Sequence, residues 1–192
     1  MNQYIDIKTL EISGFGAALQ ALRLPFGKEC RSEVYEMHFS DASPASLDIQ
    51  QDPLEVFSKT SCFIDPKDLR LMSVLVKRGD EHAKVVRGIM VYAEINAPRY
   101  WWQEMDTYRI GTDRLSSEST MHIQGRGMSE EELLKMKGDL TEGTMQKRVQ
   151  VFSYQCLRRI YFQRRNHRLP HWREFCQWVD SLPFAQELIT IQ

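Results

Sequence analysis

Arginines are interspersed with small polar residues in the segment 107–122, directly after a short aromatic run. Arg109, Arg114 and His122 lie there among glycine, serine and threonine residues. A guanidinium group is a planar fork of donors, and backbone amides beside small residues are accessible to a ligand. This combination is a common way to hold a phosphate. The segment therefore predicts a site for an anionic ligand.

A second basic segment lies at residues 158–168. Its basic residues and their neighbours are Arg158, Arg159, Arg164, Arg165, Arg168, Tyr161, Phe162, Asn166 and His167. Arg158 and Arg165 are seven residues apart, so a helix places them on one face. Two interpretations remain open: a solvated basic face opposite aromatic core residues, or a face that binds phosphate or carboxylate.

Other aromatic, acidic, histidine and cysteine residues give weaker signals of function. Tyr100, Trp101 and Trp102 are able to stack on a base or a flavin, but adjacent aromatic residues also form cores, and we favour a core for at least two of them. The turn 79–82 contains Asp, Glu and His in a row, which favours a solvated turn over a metal site. No metal site is predicted, because the cysteines are scattered, at Cys30, Cys62, Cys156 and Cys176.

Composition and motifs narrow the class of protein. The 192 residues suit one domain, 1–192, and a net charge of −1 gives no basic field that would attract nucleic acid. No segment approaches the roughly 20 apolar residues of a membrane span. The first residues lack the pattern of a signal peptide, so we expect a cytoplasmic protein. Glycine-rich nucleotide-binding motifs and a Gly-x-Ser-x-Gly motif are absent.

The elements that position these residues are predicted from periodicity and capping signals. We expect strands at 5–12 and 85–95, and a helix that begins at Asp65-Pro66. A short aromatic helix follows Pro98, and another helix runs from Ser129 to Gly138. A long helix over 144–166 and a last one over 170–181 complete an α+β pattern.

The segment 94–122 resembles the signature region of flavin-dependent thymidylate synthases. Ala97-Pro98 begins it, residues 107–112 fall in register with the family's Arg-His-Arg triplet and its loop, and residues 117–122 resemble the second half of the signature. Residues 19–28, 69–79 and 165–172 resemble further family segments in the same order. The sequence also departs from the family. Arg109 is the one arginine kept from the triplet, and His122 replaces the arginine near the end of the family's signature. The family has a Glu-His pair before this strand, and the corresponding position here falls near Arg87.

The resemblance implies a fold, a reaction and site residues. The expected fold is an antiparallel sheet with packed helices, in a homotetramer. The implied reaction methylates dUMP to dTMP with FAD and methylene-tetrahydrofolate, without a protein nucleophile, so no catalytic residue is assigned. The nucleotide would be bound by Arg109, Arg165, Gln103, Glu104, Ser117 and Ser119. The cofactor would be bound by Tyr108, Thr112, His122 and Arg87.

A second function is open for the same fold. A non-catalytic protein that sequesters a nucleotide, such as a signalling nucleotide, needs arginine and aromatic contacts but no flavin pocket. That function suits the altered triplet and a phage or prophage protein that counters host defence. A third possibility is an interaction protein without a small ligand.

Overall fold

The computed structural model describes residues 4–29, 32, 37–38 and 64–192, the pair 37–38 by backbone alone. Its strands are β1 (Asp6–Ser13), β2 (Met37–His38), β3 (Met90–Pro98), β4 (Thr112–Ser117) and β5 (Met145–Ser153). Within the described residues they form one sheet in the order β2-β1-β3-β5-β4, and every neighbouring pair is antiparallel. Cys30 and Cys62 lie outside the described residues.

Helices pack on this sheet and continue from its strands. They are α1 (Phe15–Arg23), α2 (Pro66–Lys77), α3 (Arg99–Met105), α4 (Thr120–Ile123), α5 (Glu130–Gly138), α6 (Tyr154–Arg164), α7 (Pro170–Asp180) and α8 (Ala185–Leu188). The predicted α+β class, an antiparallel sheet with packed helices, is confirmed. No helix in the described ranges is both long and apolar enough to cross a membrane.

The core is built on β3 and the aromatic helices. Alternate residues of β3, namely Val91, Ala93, Ile95 and Ala97, are fully buried, as expected for a strand with one face against a core. They belong to one apolar cluster with the side chains of α3, α6 and α7. Trp101 and Trp102 are both 0% exposed, which confirms their interpretation as core residues.

Two strands run directly into helices. Pro98 ends β3 in an extended conformation (φ −67°, ψ 151°) and α3 starts at the next residue. Ser153 ends β5, and its hydroxyl accepts a hydrogen bond from the Cys156 amide at 3.2 Å, which caps α6. Because β3 and β5 pair along their whole length, from Met90↔Ser153 to Pro98↔Met145, α3 and α6 leave opposite ends of the strand pair.

Capping signals gave the most accurate boundaries. Asp65 accepts a hydrogen bond from the Lys67 amide, and α2 begins at Pro66 as predicted. Ser129 and Glu132 form a reciprocal capping box at the start of α5, which ends at Gly138 as predicted. The last predicted helix, 170–181, matches α7 closely.

The predicted long helix over 144–166 was wrong in its first half. Residues 145–153 form β5, and only Tyr154–Arg164 is helical. The strand contains polar residues with buried side chains, Arg148 and Gln150, which obscured its alternation. The predicted strand over 85–95 starts later than expected, because Ala83–Arg87 forms a 3-10 turn and β3 begins at Met90.

One glycine is required where α1 begins. Gly14 has φ +89°, and a Cβ atom there would lie 1.9 Å from the carbonyl oxygen of Gly88. This close contact joins the end of β1 to the turn before β3. Any larger residue would force the two segments apart.

Candidate functional site

Glu104 on α3 is the centre of a polar network that several elements share. Its Oε2 atom accepts hydrogen bonds from Arg164 Nη1 at 2.7 Å and from Trp172 Nε1 at 2.9 Å. The guanidinium of Arg164 also lies over the Trp172 ring, 4.5 Å from its centroid. The family resemblance implied that Glu104 helps to bind the nucleotide. The structure shows that the Glu104 carboxylate already joins α3 to α6 and α7.

Tyr108 extends this network into the loop after α3. Its hydroxyl accepts from Arg164 Nε at 2.8 Å and donates to Gln163 Oε1 at 2.9 Å. His167 closes the other side, with Nε2 3.0 Å from Arg164 Nη1, and its Nδ1 accepts from the Leu169 amide. We call the residues Glu104, Tyr108, Gln163, Arg164, His167 and Trp172 the Glu104 network. Its polar atoms are largely paired with one another.

The two arginines predicted to share one ligand have different surroundings. Arg109 is exposed and makes no hydrogen bond, ion pair or ring contact with the described residues. Its neighbour Ile110 accepts a hydrogen bond from Arg159 on α6. Arg165 instead follows α6 on the side of Phe162, whose ring centroid is 5.0 Å from the guanidinium carbon. No contact within one chain joins Arg109 to Arg165 among the described residues.

The remaining predicted nucleotide-binding residues are Gln103, Ser117 and Ser119. Gln103 donates to Glu142 Oε2 at 2.7 Å. Ser117 ends β4 opposite Arg148 of β5. Ser119 caps α4 through its backbone carbonyl, which accepts from the amides of His122 and Ile123.

Three of the four predicted cofactor-binding residues already use their polar groups within the chain. The Tyr108 hydroxyl is part of the Glu104 network. The Thr112 hydroxyl accepts from Gln150 Nε2 at 2.9 Å. Arg87 donates to Gln155 Oε1 at 2.9 Å and to the Asp80 carbonyl at 3.1 Å. His122 is exposed on α4.

A cavity at the end of the sheet where β3 leads into α3 was not predicted from the sequence. Its volume is about 310 Å³, and its lining residues come from α3, α4, α5, the turn after α5 and β5: Arg99, Thr120, Lys137, Leu140, Thr144, Met145, Gln146 and Arg148. Three lining side chains are cationic, three are neutral polar and two are apolar, and none of the described lining residues is acidic. We call this the basic cavity.

Arg148 is the most constrained cation of the basic cavity. It is 8% exposed, and Nη1 lies 2.8 and 3.0 Å from the two carboxylate oxygens of Asp106. Nε donates to Gln146 Oε1 at 3.1 Å, and the guanidinium lies 4.3 Å from the centroid of the Trp102 ring. Burial lowers the pKa of Arg148 and Asp106 opposes that shift, so the group stays a fixed cation.

The other two cations come from separate elements. Lys137, in the last turn of α5, donates to the Thr120 hydroxyl on α4. Arg99, the first residue of α3, lies 3.9 Å from Glu142, which is itself exposed. Arg148 and Arg99 thus each have a carboxylate nearby, whereas Lys137 has only a neutral partner among the described residues. The cavity keeps a net positive charge.

The sequence contained a partial signal for this site. Thr120 directly follows Ser119, and Ser117 pairs with Arg148, so the serines predicted to bind the nucleotide lie next to the cavity's residues. Arg148 was missed because its segment was interpreted as a helix, in which it has no reason to face Trp102. Lys137 was missed because a lysine near a helix C-terminus is ordinary.

The two cysteines among the described residues are poorly placed for nucleophilic chemistry. Cys156 and Cys176 are buried and unpaired. Burial raises the pKa of both thiols, that of Cys176 to about 12. A nucleophilic thiolate is therefore disfavoured at both positions. No group of three or more metal-ligating residues occurs in the described ranges, and the 80–82 triplet lies exposed in a turn.

Comparisons with known proteins identify the fold. The chain is similar to flavin-dependent thymidylate synthase ThyX from Helicobacter pylori complexed with FAD and dUMP, with a TM-score of 0.62, 13% identity, and coverage of 96% of this chain and 98% of that one. A second structure of the H. pylori enzyme with FAD and dUMP gives a TM-score of 0.61 at 13% identity, over 97% and 98% of the two chains.

A third similar structure is the UMP/dUMP methylase PolB from Streptomyces cacaoi bound with 5-Br dUMP. Its TM-score is 0.55 at 12% identity, over 97% of this chain and 94% of that one. No family model and no curated protein sequence matches the chain. The protein thus has the fold of flavin-dependent thymidylate synthases, as the resemblance implied.

Proposed function

We propose that this protein binds a pyrimidine mononucleotide of the dUMP type, with the phosphate in the basic cavity. The observation that carries the proposal is the charge of that cavity, which among the described residues is lined by three cationic and no acidic side chains. Phosphate is the usual partner of such a set, because guanidinium and ammonium donors match its oxygens. The fold supports the same ligand class, since the similar structures contain dUMP or its 5-bromo derivative.

The size of the cavity favours a mononucleotide. Small-molecule sites have volumes of roughly 300–1,000 Å³. At about 310 Å³, the basic cavity is at the lower end of that range. A dinucleotide such as FAD would need additional surface. Leu140 and Met145 provide apolar contact for a ring, and the Gln146 amide provides a donor and an acceptor.

The nucleotide-binding residues that the resemblance implied do not line the basic cavity, and some of them lie beside it. Ser117 and Ser119 lie next to Arg148 and Thr120 and are candidates to donate to the phosphate. Gln103 is held by Glu142, close to Arg99 of the cavity. In this proposal the Glu104 carboxylate holds α3, α6 and α7 together and does not contact the nucleotide. Arg109 and Arg165 reach a common ligand, in this proposal, across a subunit contact of a homotetramer.

The more specific proposal is an activity, in which the bound dUMP is methylated to dTMP. FAD and methylene-tetrahydrofolate would supply the hydride and the one-carbon unit, and the chain's own residues would bind and orient the nucleotide. The proposed cofactor residues are Tyr108, Thr112, His122 and Arg87. Since three of them have internal hydrogen bonds, cofactor binding requires these bonds to be exchanged or a second subunit to complete the site.

The internal hydrogen bonds of three proposed cofactor residues favour a second candidate, a non-catalytic nucleotide-binding protein. A sequestering protein needs the basic cavity but no flavin site. The internal pairing of Tyr108, Thr112 and Arg87 is compatible with a chain that no longer binds a flavin.

Calorimetric titration of dUMP tests the shared part of both candidates. Lys137→Met removes the cation that has only a hydroxyl partner, and we expect dUMP to bind about tenfold more weakly, roughly 1.4 kcal/mol. Lys135→Met is the matched control, because Lys135 is exposed on the same helix and does not line the cavity. An equal loss in both variants, or no dUMP binding to the wild type, would contradict the proposal.

Cofactor dependence separates the two candidates. The enzyme should purify with flavin absorbance and convert dUMP to dTMP when it is given methylene-tetrahydrofolate and reduced FAD. The sequestering protein should bind dUMP, remain colourless and show no change of melting temperature with FAD. Light scattering tests the homotetramer in the same preparation.

A further inference from the structure

One wall of the basic cavity is a two-helix segment, residues 119–140, which contains α4 and α5. Thr120, Lys137 and Leu140 line the cavity from this segment. The other lining residues belong to α3, to β5 and to the residue before β5. We call residues 119–140 the arm and the rest of the described chain the body. The basic cavity thus lies between the arm and the body.

The arm packs on itself and not on the body. None of its residues is buried, and none belongs to the apolar core cluster. A Cβ atom on Gly125 would lie 2.4 Å from Leu133 Cδ1 and 3.0 Å from the Met121 carbonyl oxygen, so α4 and α5 are in close contact. Among the described residues, no hydrogen bond or ion pair joins the arm to the body. Motion costs least where such contacts are few, so the arm is able to move as one unit.

Two neighbouring anchors connect the arm to the body. On one side, the Glu118 amide donates to the Lys147 carbonyl at 2.9 Å, and the Glu118 carboxylate accepts from the Lys147 amide at 3.0 Å. On the other side, the Glu142 carbonyl accepts from the Tyr100 amide at 3.0 Å. Both anchors lie where β3 leads into α3, near the start of β5. Anchors so close together form a hinge, because a few residues beside them absorb the change of backbone angles.

The cations of the basic cavity are divided between the arm and the body. Lys137 is on the arm, and its hydrogen bond to Thr120 of the arm makes it move with that unit. Arg99 and Arg148 are on the body, and the carboxylates near them are on the body as well. Like charges repel, so these cations favour separation of the arm from the body. A phosphate between them attracts both sides and reverses the sign of this force.

We propose that the arm is a lid that repulsion between Lys137 and the two body arginines keeps open, and that an anionic ligand in the basic cavity closes it. This inference rests on the proposed function for its ligand and adds a conformational step to it. A ligand shifts an equilibrium between two states only by the difference in its affinity for them. That difference comes here from Lys137, which the closing arm brings to the phosphate.

A charge reversal on the arm tests the lid without any ligand. Lys137→Glu turns repulsion into attraction, so the arm should close in the free protein. Lys135→Glu is the matched control, because Lys135 is also in the last turn of α5 but does not line the cavity. Hydrogen exchange followed by mass spectrometry measures the arm amides of the full chain. They should exchange at least about threefold more slowly in Lys137→Glu than in Lys135→Glu, because a closed arm must detach before its helices open.

A second pair of variants leaves the sequence of the arm unchanged. Arg99→Glu reverses a charge on the body, and Arg99→Gln only removes it. The arm amides should exchange more slowly in Arg99→Glu than in Arg99→Gln. Both differences should vanish at about 1 M salt, where charges are screened within roughly 3 Å. Exchange of the β3 amides, which belong to the core, shows in each variant that the body is folded.

Failure of the lid and failure of the proposed function give different results. Equal exchange of the arm amides within both pairs of variants would overturn the lid, even if the wild type binds dUMP in a Lys137-dependent way. Wild-type protein that does not bind dUMP contradicts the proposed function, and the two pairs then still decide whether the arm closes. If both hold, dUMP should slow exchange of the arm amides in the wild type and leave that of Lys137→Glu unchanged.

Discussion

Two arginines of this protein each stack on a buried tryptophan and pair with a carboxylate. Arg164 lies over Trp172 and pairs with Glu104, and Arg148 lies over Trp102 and pairs with Asp106. Their surroundings differ. Arg164 is enclosed by further hydrogen-bonding groups of the Glu104 network, whereas Arg148 lines an open cavity with two other cations. Similar pairing thus stabilises a junction of helices in one place and leaves a site for an anion in the other.

The difference shows that the type of a residue does not reveal whether its hydrogen-bonding groups and charge are already paired within the chain. The family resemblance implied that Glu104 and Tyr108 bind ligands, but the structure shows that most of their hydrogen-bonding groups are used within the chain. A ligand site needs donors or charges that the fold leaves incompletely compensated. The basic cavity meets this condition.

The largest expected effects come from exchanging each arginine for alanine. Arg148→Ala should weaken dUMP binding by about 1.5–3 kcal/mol, the range for hydrogen bonds to charged groups. Arg164→Ala should leave dUMP binding within about twofold and lower the free energy of unfolding by about 1–3 kcal/mol, because Trp172 and Tyr108 lose a partner. Calorimetry and urea unfolding measure the two quantities. If both variants lose mainly affinity, the Glu104 network is part of the ligand site.

The two carboxylates provide a second, smaller contrast. Glu104→Ala leaves the buried Trp172 Nε1 without an acceptor and should lower the free energy of unfolding by about 2 kcal/mol. Asp106→Ala removes a carboxylate that is 47% exposed, and the Arg148 guanidinium that it leaves lines an open cavity where water replaces the carboxylate, so we expect a loss of about 1 kcal/mol or less. Urea unfolding of both variants checks the order, and a larger loss for Asp106→Ala would reverse it.

The stability of the protein should depend on pH through His171, which precedes Trp172 of the Glu104 network. His171 is buried on α7, its Nε2 is 2.8 Å from the Tyr100 hydroxyl, and its Nδ1 has no partner among the described residues. Burial lowers the pKa of His171, against the opposing charges of Glu174 and Glu104. The unfolded chain therefore binds a proton more readily than the folded one, and stability falls as the pH drops below about 6.5.

His171→Gln should remove this part of the pH dependence. Melting temperatures between pH 7 and pH 5 should decline less steeply for the variant than for the wild type. Parallel curves would mean that His171 has the same proton affinity in the folded and the unfolded chain.

Much of the fold was predictable because local signals specify it. Asp65-Pro66 and the Ser129–Glu132 capping box fixed two helix starts through contacts within a few residues. The interior of β5 was not predictable in this way. Arg148 and Gln150 are buried there because Asp106 and Thr112, distant in sequence, compensate them. The basic cavity was missed for the same reason, since its cations come from α3, α5 and β5 and no short motif joins them.

The pairing of β3 with β5 has a consequence for how this protein tolerates change. Side chains alternate between the two faces of a strand, so deleting one residue near the start of β5 would turn Arg148 to the opposite face and bring an uncharged neighbour, Val149, towards Trp102. A chain altered in this way would keep the length and composition of its sheet yet lose a cation from the cavity. Insertions and deletions between Thr144 and Arg148 should therefore be far more harmful than those in the turn before Glu130.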